Sequence, residues 1–208
     1  MKVEIKNYTK IIKKKTILDS INLTFEGGRI YGIRGINGSG KTMLIRAICG
    51  LIYPSNGEVI IDDEVIGKDI SFPKSVGVLI EGPAFLPNYT GMDNLKLIAS
   101  VKKVANENDL SNVLKDVGLD PSDNRPFRKY SLGMKQKLGI ACAFMEYPDI
   151  VILDEPINAI DKDGVILIRE ILDDLKKRDK IVIIACHDAE EMRVLADEII
   201  QMEEGRIV

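Results

Sequence analysis

A chain of 208 residues, 45% of them hydrophobic, has room for one well-buried domain carrying a subdomain and little room for two independent ones. Lysine and arginine total 29 against 32 acidic residues, a formal charge of -3, which excludes a general electrostatic attraction to nucleic acid or to an acidic membrane surface. The 3 cysteines (Cys49, Cys142 and Cys186) are far apart with no CxxC pair, which argues against a disulfide framework and a zinc site and for reduced cytosol, each thiol a small buried hydrophobe.

The opening MKVEIKNYTK alternates like a strand and carries no leader pattern. No apolar run approaches the ~18 residues that span a bilayer, so the chain is expected to be soluble by itself. Strands are expected over 3–5 and 17–25, where Ile17, Ile21, Leu23 and Phe25 largely alternate with polar residues. Between them the run Lys13, Lys14, Lys15 reads as a solvated turn. An RIYGIR strand then enters the loop GINGSGKT. Leu44, Ala47, Ile48 and Leu51 follow at the spacing of an amphipathic helix, closed by Gly50 and Pro54.

A strand pair around 57–61 and a strand over 76–80 come next. From about 88 to 147 the pattern turns helical: Leu110, Val113, Leu114 and Val117 share a face, Gly118 stops that helix, and another begins at Ser131. The segment reads as a helical insert in an α/β domain spanning 1–208. The uninterrupted runs IVIL (150–153) and IVIIAC (181–186), separated by a helix bearing Val165, Ile168, Leu172 and Leu175, fit central parallel strands buried on both faces.

GINGSGKT fits the pattern G-x-x-x-x-G-K-[ST], in the strand, loop, helix context that a phosphate loop requires. Its glycines let successive N–H groups point inward, and the helix start adds positive potential. Asn37, Gly38, Ser39 and Gly40 are thereby candidates to line a nucleotide, Lys41 to neutralise its β- and γ-phosphates, and Thr42 to place a hydroxyl on Mg²⁺. Such a loop does not separate a kinase, a GTPase and an ATPase motor. IVILDEP sets Asp154 and Glu155 at the carboxyl end of a buried strand, where open α/β sheets bind ligands. Asp154 suits Mg²⁺ and Glu155 suits polarising an attacking water. His187, the only histidine, follows the second buried strand directly and is a candidate γ-phosphate contact.

In this order the pieces resemble the ATP-binding subunits of ABC transporters over essentially the whole chain. The resemblance makes GINGSGKT the Walker A loop, VILDEP the Walker B strand with Glu155 as catalytic glutamate, NAID ending in Asp161 the D-loop, and CHD the segment of the switch histidine, His187. YSLGMKQKLGIA stands where the family has its signature, usually LSGGQ, with Ser131 and Gly133 in the matching Ser and second Gly positions. The implied fold is a P-loop NTPase of the ABC ATPase type, with an antiparallel β subdomain and a helical subdomain carrying the signature. The implied function is ATP hydrolysis with ATP and Mg²⁺. In the family two ATP-binding domains meet head to tail, so Ser131, Gly133 and Asp161 would reach the partner's nucleotide. A separate transmembrane permease would hold the chain at the inner face of the cell membrane.

VLIEGPAF puts Glu81 where most members have glutamine, which with YSLGMKQ resembles the bacterial bacitracin and lantibiotic export or self-protection branch, linked to antibiotic resistance. The departure makes Glu81 a candidate metal contact. Ile12 aligns with the usual adenine-stacking aromatic, which implies weak ATP over GTP selectivity unless Tyr8 swings in. Leu132 and Met134 replace the signature's first glycine and its glutamine. EGPAFLPNY, with Phe85 and Tyr89, corresponds to the loop that receives the permease, the alternative being ordinary subdomain packing. An ABC ATPase acting on DNA or ribosomes is the second reading; the chain has neither a long coiled-coil insert nor a second ATPase domain. A small-molecule phosphotransferase is the third, and it has no need of a signature helix.

Overall fold

The computed structural model describes residues 1–208, except for the side chain of Glu191. Its strands are β1 (Lys2–Ile12), β2 (Lys15–Glu26), β3 (Arg29–Arg34), β4 (Asn56–Ile61), β5 (Glu64–Val65), β6 (Val76–Leu79), β7 (Ile150–Asp154), β8 (Ile181–Cys186), β9 (Glu198–Glu203) and β10 (Arg206–Ile207). The α-helices are α1 (Lys41–Ile48), α2 (Gly91–Lys102), α3 (Glu107–Asp116), α4 (Leu132–Phe144), α5 (Lys162–Lys177) and α6 (Ala189–Leu195).

The antiparallel strands form one sheet in the order β2-β1-β4-β5. The hairpin between β1 and β2 turns on Lys13 and Lys14, with φ of 47° and 67°. Both values fit a two-residue turn that matches strand twist, and the lysine run is the exposed turn its charge implied. The second sheet has the order β10-β9-β3-β8-β7-β6, and only β10 runs antiparallel to its neighbour.

Every residue of β7 and β8 is buried, which is why both read as unbroken apolar runs. Period-2 alternation then divides them between two cores. Ile150, Ile152, Ile181 and Ile183 join α1 and the antiparallel sheet through Val3, Phe25, Leu44 and Ile48. Val151, Leu153, Val182 and Ile184 face the helical side, with Leu95, Leu114, Leu138 and Leu172.

The helix starts follow side-chain capping. The hydroxyl of Thr90 accepts from Asp93 N, Asn106 and Asp109 form a capping box, and Ser131 and Asp161 cap α4 and α5. Gly118 closes α3 at φ 74°, where the chain reverses. Leu51, expected on the apolar stripe of α1, lies beyond the helix and is 56% exposed, because the chain turns away at Gly50 (φ 73°).

Candidate functional site

The loop between β3 and α1 is shaped by backbone that side chains disfavour: Gly38 has φ 84° and Gly40, the N-cap of α1, has φ 108°. No side chain caps this helix start, so its first N–H groups are the donors a phosphate would meet. Ser39 is buried, and its hydroxyl is the one buried side-chain polar atom among the described residues with no hydrogen-bond partner. Lys41, 6% exposed, folds its ammonium across the loop and donates to the carbonyls of Gly35 (2.7 Å) and Ile36 (3.3 Å). An unsatisfied hydroxyl, an uncapped helix start and a buried cation fall at the consecutive residues Ser39, Gly40 and Lys41, a donor set that fits a polyphosphate.

Thr42 donates its hydroxyl to Asp154 Oδ2 at 2.8 Å, joining the first turn of α1 to the end of β7. Burial holds the Asp154 carboxyl above the usual range; the Thr42 bond and the Lys41 charge oppose this, and the charges of Glu155 and Glu81 add to it. Hydroxyl and carboxylate oxygens are the donors Mg²⁺ prefers, so this pair fits that ion.

Glu155 departs from β7 at φ 51°, its N–H bonded to Ala185 O at 2.8 Å. Its carboxylate oxygens lie 2.9 and 3.0 Å from His187 Nδ1, at the end of the adjacent strand β8. The structure thus brings together Lys41, Thr42, Asp154, Glu155 and His187, residues that span most of the sequence.

Ser131, Gly133 and Asp161 form a second group. Ser131 Oγ accepts from Met134 N at 3.2 Å, and a Cβ on Gly133 would lie 2.7 Å from Ala159 O. Asp161 caps α5 and pairs with Lys137 at 3.2 Å; this bond is the main cause holding its carboxyl below the usual range. No hydrogen bond links this group to Lys41 or Thr42 among the described residues.

Glu81 is exposed and accepts a hydrogen bond from Arg46 Nη2 on α1 at 2.7 Å, while its charge reaches Asp154. Ile12 ends β1 at the hairpin turn, 39% exposed. Tyr8, the alternative to Ile12, is fully buried and donates its hydroxyl to Ile52 O at 3.1 Å, a bond that turning towards a base would break. Its burial pushes the phenol up to about 12. Phe85 follows the packing alternative, edge-on to Phe127 with ring centres 5.2 Å apart, whereas Tyr89 is half exposed. Cys49 and Cys186 are buried as expected; Cys142 is only partly so.

Sequence reading missed Gln136 and Arg46. Gln136, buried in α4, donates to the carbonyls of Glu155 (2.9 Å) and Pro156 (3.2 Å), tying α4 to the end of β7. Its signal was an amide within an otherwise apolar helix stripe.

Comparison with known proteins agrees with this geometry. A family model described as "ABC transporter" matches residues 18–158. The chain is 49% identical over 205 residues to an uncharacterized ABC transporter ATP-binding protein, YybJ of Bacillus subtilis (strain 168), covering 99% of this chain and 94% of that protein. It is 38% identical over 208 residues to the bacitracin transport ATP-binding protein BcrA of Enterococcus faecalis, covering 99% and 68%. A solved dimeric structure of MJ0796, a bacterial ABC transporter cassette, superposes with a TM-score of 0.88 at 25% identity, covering 99% of this chain and 96% of that one.

Proposed function

The chain belongs to the ABC transporter family as an ATP-binding, ATP-hydrolysing subunit, and from that premise we propose that it drives a separate transmembrane permease exporting a peptide antibiotic or similar hydrophobic compound. Family membership implies a dimer and a membrane partner. No helix among the described residues is long and apolar enough to cross a membrane; attachment at the inner face of the cell membrane through that permease follows from the family. The designation of BcrA as a bacitracin transport protein supports the class of cargo. It also favours transport over work on DNA or ribosomes.

In the proposed mechanism Asn37 to Gly40 and the start of α1 surround the phosphates. Lys41 transfers its hydrogen bonds from the loop carbonyls to the β- and γ-phosphates. Thr42 and Asp154 would hold Mg²⁺, which would supply charge neutralisation there. Glu155 accepts a proton from the attacking water, and His187, joined to it through Nδ1, contacts the γ-phosphate. Ser131, Gly133 and Asp161, at the starts of α4 and α5, close over the nucleotide of a second ATP-binding domain, either a second copy or a close paralogue. Residues 88–147 are assigned as the helical subdomain within a single 1–208 domain. Ile12 packs on the adenine and Glu81 tunes the metal end.

The observation that carries this reading is the line Thr42, Asp154, Glu155, His187 across the carboxyl ends of β7 and β8 beside the phosphate loop. Size-exclusion chromatography with light scattering on Glu155→Gln tests it. A monomer that becomes a dimer on adding Mg-ATP is the expected result. A monomer at saturating Mg-ATP would overturn the symmetric pair and direct the search to a paralogous partner.

A further inference from the structure

At the ends of β7 and β8, Glu155, Cys186 and His187 each offer a ligand atom, and the three atoms lie within 4.8 Å of one another. The Glu155 and His187 donors are already 2.9 Å apart. The Cys186 sulfur, at the buried end of β8, accepts a hydrogen bond from Asp188 N at 3.3 Å. A tetrahedral Zn²⁺ holds sulfur, nitrogen and oxygen donors about 3.5 Å apart. The 2.9 Å pair and the 4.8 Å bound on the remaining separations lie either side of that value, so side-chain rotation on two fixed strand ends brings the three atoms into range. Cysteine spacing argued against a zinc site, but it bears on sites built from several thiolates; here one thiolate is completed by imidazole and carboxylate.

We propose that Glu155, Cys186 and His187 form a binding site for a borderline divalent cation of the Zn²⁺ class, with water as the fourth ligand. Sulfur and imidazole set the selectivity, since Mg²⁺ takes oxygen donors. On binding, the Cys186 thiol releases its proton to solvent and the thiolate joins the metal, while His187 coordinates as the neutral imidazole. Occupancy commits the carboxylate that would activate water and the histidine that would meet the γ-phosphate, so the site is inhibitory. That consequence rests on the catalytic reading of Glu155; the binding itself does not.

Co²⁺ titration of the nucleotide-free full chain, read by absorbance, separates the two. The expected result is one equivalent of Co²⁺ with a thiolate-to-metal charge-transfer band, displaced by Zn²⁺. Cys186→Ser should lose the band, and His187→Ala should bind Co²⁺ at least about tenfold more weakly. A Cys49→Ala, Cys142→Ala double variant should keep the band, which guards against a Cys186→Ser protein that does not fold. No charge-transfer band in the native chain, or its disappearance from the double variant, would overturn the proposal.

Discussion

Asp154 stands beside two other acids in a buried place that favours its neutral form. A carboxyl raised in the folded state makes no unfavourable contribution below its unfolded range and the full one above its folded value. Asp154→Asn keeps an oxygen for Thr42 and removes that charge. It is expected to raise the melting temperature of the nucleotide-free protein at pH 7 by about 2–4 °C, the effect of ~1 kcal/mol in a domain of this size. The gain should vanish at acid pH, while Mg-ATP affinity falls; calorimetry at two pH values with a nucleotide titration checks all three. Glu81→Gln exchanges the Arg46 ion pair for a neutral contact. With the Glu81 side chain 61% exposed, stability should change by less than about 1 kcal/mol. ATP binding should persist and turnover in the presence of the membrane partner should shift, so an unchanged ATPase rate would remove Glu81 from the metal end. Lys41, Thr42 and Asp154 were legible because their spacing is itself the chemistry. Gln136 showed only as an amide in an apolar stripe and Arg46 not at all, because no local pattern names the separate segment on which each acts.

Between elements, β6 packs closely on the end of α4: a Cβ on Gly77 would stand 1.7 Å from Ala143 O. Backbone cannot yield as a flexible side chain does, so Gly77→Ala is expected to destabilise the fold by about 2–3 kcal/mol, read as a lower urea midpoint. A native-like midpoint would mean that α4 slides freely on the sheet. Interiors of elements were readable from hydrophobic period, as the split of β7 and β8 between two cores makes plain. Ends were not. Expected over 3–5, β1 runs to Ile12 because its pairing with β4 and β2 continues across irregularities near Asn7, whose φ is 47°. Those partners are non-local, so the alternation of MKVEIKNYTK suggested a strand without fixing where it ends.

For the whole molecule, the α/β class and the helical segment were legible in the order of motifs, while the sheet order was not. Ser131 tests how one copy meets another. Ser131→Ala removes an N-cap bond, for a loss of about 1 kcal/mol in the isolated chain. In the Glu155→Gln background it should also weaken ATP-driven dimerisation by more than that stability loss explains, as light scattering across an ATP series would register. Strand order carries a different consequence. The phosphate loop continues from β3, and β3 is paired on both sides by β8 and β9, which come from residues 181–186 and 198–203. On the ribosome, β1, β2 and β4 can pair early, whereas β3 waits for about 150 further residues, roughly ten to thirty seconds of synthesis. The strand that carries the nucleotide loop is therefore framed on both sides only after residues 181–203 have been made.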